Sequence, residues 1–216
     1  RVAAALAGSR PPGWLDVDSG GGEAPDAMAL GRLVRAHRLG VRVVRLCASA
    51  CAHFVLPAGT RRQVAPGALV LFHSTVTLRW RLHDIAHTVG AGLFAGVAAD
   101  EAAFWRVLGI PGDPAAWDQG ALQPTCLIDD PRRPLFDPNR YGIVARVDAY
   151  AVSRSLIEHF VGPIEGYWPA DEAAMRRDLA ALPVARTVRV AWLDRAPLLV
   201  PTPYLPRCQA GWAQAG

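Results

Sequence analysis

The chain has 216 residues, 51% of them hydrophobic, which is enough for one sizeable core and too few for two full domains. Arginine supplies all 23 strongly basic side chains and the formal net charge is +4, but the arginines are scattered without an aromatic-interleaved basic stripe, so a nucleic-acid surface is set aside. The longest apolar runs, 68–72 and 93–99, fall well short of the roughly 18 residues of a membrane span, and no transmembrane helix is expected.

Residues 2–7 read as a short helical lead-in, broken by Pro11-Pro12-Gly13, and residues 14–18 as a short strand. Ser19-Gly20-Gly21-Gly22 is a flexible turn. Pro25 and Asp26 open a helix in which Leu30, Leu33 and Val34 recur at helical spacing, with Arg32, Arg35 and Arg38 outward and Gly40 as its stop. Residues 41–46 form a valine-rich second strand, Cys47-Ala48-Ser49 a turn, and residues 50–56 a helix of small residues ended by Pro57 and Gly59. Residues 63–67 turn into a third strand over 68–72, which delivers His73 at its end, and a long helix is predicted over 82–108.

Strands alternating with helices imply parallel pairing through right-handed crossovers, with chemistry beyond the carboxyl ends of the strands. After Gly109 the sequence turns rich in Pro, Asp and Trp. Residues 111–140 are read as an insertion, with 129–140 as loop. Order resumes with a strand over 141–152, a helix over 153–160 capped by Ser153, a helix over 171–182 with Arg176 and Arg177 exposed, and one or two late strands within 187–199. The reading is one domain, with its core in 1–110 and 141–165 and a C-terminal extension over 166–216.

Hydrolysis of an amide or ester by serine requires an activated hydroxyl, a base within hydrogen-bond reach, and N–H donors aimed at the developing oxyanion. Ser49 sits between alanines at a strand-to-helix turn, where its hydroxyl and the N–H of Ala50 would face one side. Gly21 and Gly22, after the first strand, offer a second donor with no Cβ to block a close approach. His73, at the end of the third strand, supplies the base.

Asp18-Ser19-Gly20-Gly21-Gly22 resembles the Asn-Ser-Pro-Gly-Gly turn of Clp protease proteolytic subunits and their periplasmic relatives, with Asp18 and Gly20 departing from that pattern. Cys47-Ala48-Ser49-Ala50-Cys51 resembles the nucleophile turn of the periplasmic branch, and Val70-Leu71-Phe72-His73 the strand that ends in the catalytic histidine. The intervals, 27 residues from Gly22 to Ser49 and 24 from Ser49 to His73, are close to the family's, and the resemblance covers roughly the first 110 residues. It implies an α/β fold of the Clp and crotonase type, with stacked β-β-α units and a mainly parallel sheet. It also implies a third catalytic residue, an Asp ahead of an aromatic residue and a short helix. Asp148 fits that description with a one-residue offset before Ser153; Asp129, Asp130 and a site of Ser49 and His73 alone stay open.

Other groups have blander readings. His53, one helical turn after Ser49, lines the same pocket, competes as base, or belongs to the core. His83 and His87 stand four apart as in a zinc-binding helix, with Asp84 where metalloproteases place Glu, yet no third ligand follows and both are read as solvated. Trp80, Trp105, Trp117 and Trp168 are read as packing, with Tyr167-Trp168-Pro169 as a candidate groove lining. Cys47, Cys51, Cys126 and Cys208 permit two bridges or four free thiols.

The sequence therefore leads to a serine peptidase or hydrolase acting on a peptide or protein substrate, with catalytic Ser49, His73 and Asp148, an oxyanion hole from Gly21, Gly22 and Ala50, and no metal or cofactor. The rival reading is an inactive chain of the same fold that binds peptide or a partner protein. A crotonase-like acyl-CoA enzyme is the third. The start at Arg1 reads as trimmed, and the resemblance implies an exported, periplasmic protein able to form homo-oligomers.

Overall fold

The computed structural model describes residues 13–111, 113–137, 140–183, 188–197, 201 and 203–208; the expected lead-in helix over 2–7 and parts of the tail lie outside them. Strand β1 (Trp14–Ser19) runs parallel to β2 (Gly40–Ala48), with α1 (Ala24–Ala36) as the crossover. A π-helical turn, Cys51–Val55, follows β2 and continues as the short α2 (Leu56–Ala58). Pro57, expected as a stop, lies inside this segment, which ends at Ala58 with Gly59 as its C-cap. β3 (Arg62–Val64) and β4 (Leu69–Leu71) both pair parallel with β2, the former along 41–43 and the latter along 46–48.

The single long helix expected over 82–108 is two, α3 (Val76–Ile85) and α4 (Val89–Leu108), separated where His87 takes a φ of +50°. The region read as an insertion contributes α5 (Pro114–Leu122) and β5 (Pro124–Asp129), and β5 pairs antiparallel with β6 (Tyr141–Ala145). The strand expected over 141–152 is divided by the Arg146-Val147-Asp148 turn into β6 and β7 (Ala149–Val152). α6 (Arg154–Val161) follows, then the two-residue β8 (Glu165–Gly166), parallel to β3, and α7 (Glu172–Ala180), whose N-cap Asp171 accepts from the Ala174 N–H at 2.7 Å. β9 (Val190–Leu193) pairs parallel with β7. The architecture is mixed α/β, with a mostly parallel main sheet.

Alternation along the strands assigns the two faces. Val70, Phe72, Tyr150, Val152 and Cys47 point into the larger core beneath α1, the π-turn and α4, where Phe54 stacks on Trp105 with ring centroids 6.0 Å apart. Leu69, Leu71, Ala149, Ala151 and Leu46 point the other way and are covered by Met175, Leu179 and Leu182. The C-terminal segment read as an extension thus closes the second face of the sheet. Burying three such aliphatic side chains is worth about 1.5–3 kcal/mol each. Trp105 and Trp168 are packing residues, as expected. Trp168 is buried and donates its indole N–H to the Val152 carbonyl at 2.8 Å rather than lining a groove. No helix among the described residues is long and apolar enough to cross a membrane.

Candidate active site

Ser49 is placed by β2 and held by β4. The register sets Ala48 opposite Leu71, and the Ser49 N–H donates to the Leu71 carbonyl at 2.9 Å. Two residues beyond Leu71, His73 therefore emerges beside it. The φ of Ser49 is +58°, a conformation that non-glycine residues adopt at an energetic cost and that recurs at functional sites. Its Oγ hydrogen-bonds Nε2 of His73. Cys47 and Cys51 form a disulfide across this elbow, with Cα atoms 5.3 Å apart, while Cys126 and Cys208 bridge β5 to the tail.

Gly21 packs against the back of the serine. A Cβ built on it would meet Ser49 Cβ at 2.4 Å and Ser49 Oγ at 2.7 Å, and its φ is +112°, so this position accepts only glycine without displacement. The Gly21 N–H donates to Ser19 Oγ at 3.1 Å. That engagement removes it from the expected set of oxyanion donors. Gly22 and Ala50 line the cleft with Ser49 and His73. The Gly22 N–H has no acceptor among the described residues, and Ala50 opens the helical segment, where first-turn N–H groups lack an intrahelical carbonyl.

Asp148 lies elsewhere. Both of its oxygens are taken by Arg189, through the backbone N–H at 2.8 Å and the guanidinium at 2.8 and 3.0 Å, and the pair is exposed. The Arg189 hydrogen bonds hold the carboxyl below its usual range. No hydrogen bond or ion pair joins it to His73, contrary to the expected triad geometry. The alternatives fare no better, since Asp129 pairs with Arg140 and Asp130 with Arg132. Among the described residues the hydrogen bond of the His73 ring is with Ser49 Oγ.

Two buried groups support His73 from behind. His53 Nε2 lies 2.9 Å from the His73 carbonyl oxygen, to which it donates, so His53 fixes the backbone of the base and does not compete with it. Asp118, wholly buried on α5, accepts from the Thr75 N–H at 2.8 Å and the Tyr150 hydroxyl at 2.7 Å, and its Oδ1 stands 3.8 Å from His53 Nε2. Sequence reasoning missed Asp118. It sits in a stretch read as insertion, and the only available signal was an acidic residue, five after the Asp113 cap, on the helix face that carries Ala115, Ala121 and Leu122.

Burial dominates the electrostatics. It pushes His73 down to about 4, with the charges of His53 and Arg79 acting in the same direction. It also lowers His53, and it pushes Asp118 up to about 7 against the hydrogen bonds from Tyr150 and Thr75. His73 is consequently a neutral imidazole, able to accept a proton across the physiological range.

The zinc-type pair does not assemble. His83 is fully buried, with Nδ1 at 2.8 Å from Thr88 Oγ1 and Nε2 at 3.1 Å from the Gly142 carbonyl, whereas His87 is exposed beyond the end of α3. His83 is thus a core residue and not the solvated one expected. No group of three or more potential ligands occurs among the described residues. No family model, curated protein or solved structure matches the chain.

Proposed function

We propose that the chain is a serine hydrolase of Clp-like type that cleaves peptide bonds through Ser49 and His73, with the fold of the Clp and crotonase group. The observation that carries this reading is Ser49 Oγ in direct hydrogen bond with His73 Nε2 at a positive-φ elbow. His73 takes the hydroxyl proton as Ser49 Oγ bonds to the substrate carbonyl carbon. The N–H groups of Gly22 and Ala50 receive the oxyanion. When the C–N bond breaks, the proton passes from His73 to the leaving amine, and water, deprotonated by the same imidazole, then releases the acyl group from Ser49.

The site works as a pair, and His53 positions the base through its backbone carbonyl. Neither step calls on a metal or cofactor. Two disulfides favour an oxidising compartment, which fits export to the periplasm. A fluorophosphonate probe tests the reading: labelling confined to Ser49, abolished by Ser49→Ala and strongly reduced by His73→Ala, is the expected result. A folded wild-type chain that stays unlabelled at millimolar probe overturns it and leaves peptide binding as the function of the cleft.

A further inference from the structure

The cleft that holds Ser49 and His73 also holds a cation with no carboxylate partner. Arg79 lies on α3, one turn after the Thr75 N-cap, and lines the same cavity as Gly22, Ser49 and His73. It is half-buried, and the one hydrogen bond of its side chain among the described residues runs from Nε to Ser74 Oγ at 3.4 Å. Every ion pair among those residues involves other arginines or a histidine.

Two carboxylates lie near enough to act on its charge, and neither is a partner. Glu23 stands exposed and makes no ion pair with it. Glu101 is buried and occupied, Oε1 by the Val76 N–H at 3.2 Å and Oε2 by the Thr77 N–H and hydroxyl, both at 2.7 Å. The two terminal amino groups of Arg79 therefore bond to nothing among the described residues. They are not sealed away either, because the single buried side-chain nitrogen without a partner among the described residues is Nε of Arg62. A guanidinium fixed at Nε, with its terminal N–H groups open to a cleft, matches the bidentate geometry of a carboxylate.

We propose that Arg79 determines specificity by binding a substrate carboxylate beside the Ser49–His73 pair. The inference rests on the hydrolase reading for its meaning, but the binding it asserts is measurable without turnover. The carboxylate has two sources, an acidic side chain or the free carboxyl terminus of a chain.

Calorimetric titration of the Ser49→Ala chain with three alanine hexapeptides separates them. One is blocked at both ends, one is blocked and carries a central glutamate, and one has a free carboxyl terminus. The expected result is that one acid-bearing peptide binds about tenfold more tightly than the neutral one, a difference of about 1.4 kcal/mol. That gain disappears on adding Arg79→Gln and is partly retained with Arg79→Lys. The peptide that gains identifies the source. Equal binding of all three, no binding by any, or a gain that survives Arg79→Gln overturns the proposal. The three-peptide comparison needs no Arg79 variant, so a poorly folding substitution does not decide it. Fluorophosphonate labelling of Ser49 without a carboxylate gain sinks the role of Arg79 alone; a gain without labelling sinks the hydrolase reading alone.

Discussion

Gly21 and Ser49 are in such close contact that a methyl group on the glycine would stand 2.4 Å from the serine Cβ. The serine is held at an unfavourable φ between this glycine and the Leu71 carbonyl that receives its N–H. Gly21→Ala must displace the elbow as well as adopt a φ of +112°, at a cost of about 1–3 kcal/mol for the backbone alone. The expected outcome is a fall in the fluorophosphonate labelling rate of at least about tenfold, with near-native far-UV circular dichroism. A variant labelled at the wild-type rate would show that the contact is not needed.

His53 is expected to act through the His73 carbonyl. In His53→Leu that carbonyl loses its donor inside the protein, at a stability loss of about 1–3 kcal/mol, measurable by chemical denaturation. Labelling of Ser49 falls as well, because His73 is no longer fixed. If labelling is unchanged at matched folding, His53 serves the core alone.

The acid limb of labelling or hydrolysis is expected near pH 4, since burial, followed by the charges of His53 and Arg79, depresses His73 to about 4. The base is then neutral at every higher pH up to the loss of the fold. Arg79→Gln removes one cause of the depression and moves the limb upward. A wild-type limb near 6.5, the ordinary histidine value, contradicts the burial argument.

Asp118 gives a pH dependence of stability with the opposite sign from a salt-bridged carboxylate. Its folded value of about 7 lies above the unfolded value of 3.8, so between these limits the native state binds the extra proton. The contribution of this group to stability therefore declines as pH rises from about 4 to about 7. Asp118→Asn can accept from the Thr75 N–H through its amide oxygen and donate its amide N–H to the Tyr150 hydroxyl, without ionising. The melting temperature of the variant minus that of the wild type is expected to increase from pH 4 to pH 8, and a flat or falling difference would refute the assignment.

The two disulfides differ in the chain they close, four residues apart for Cys47–Cys51 and 82 apart for Cys126–Cys208. Loop-closure entropy assigns about 2 kcal/mol to the first and about 4.5 kcal/mol to the second. Replacing Cys126 and Cys208 by alanine is expected to lower the denaturation midpoint more. Replacing Cys47 and Cys51 is expected to lower Ser49 labelling more. Equal effects on both readouts would mean that the elbow does not depend on its bridge.

The parts of this protein that its sequence determines are those governed by near neighbours. The β1–α1–β2 unit follows from apolar spacing, the elbow at Ser49 from small residues after a valine-rich strand, and the closeness of Ser49 to His73 from two strand ends in order. Tertiary structure alone decided the rest, because those features depend on partners far along the chain. Asp148 is taken by Arg189, 41 residues away; Asp118 reaches Thr75 across 43 residues; and His53 reaches the His73 carbonyl across 20. His83 is buried by the carbonyl of Gly142, 59 residues on, and the face formed by Leu69 and Leu71 is closed by Met175 and Leu179 of a segment read as part of a C-terminal extension. Local periodicity specifies which side of an element is apolar, whereas the partner of a buried polar group is specified only when distant elements pack. For that reason the serine and histidine were legible in the sequence, while the support behind the histidine and the open cation beside it were not.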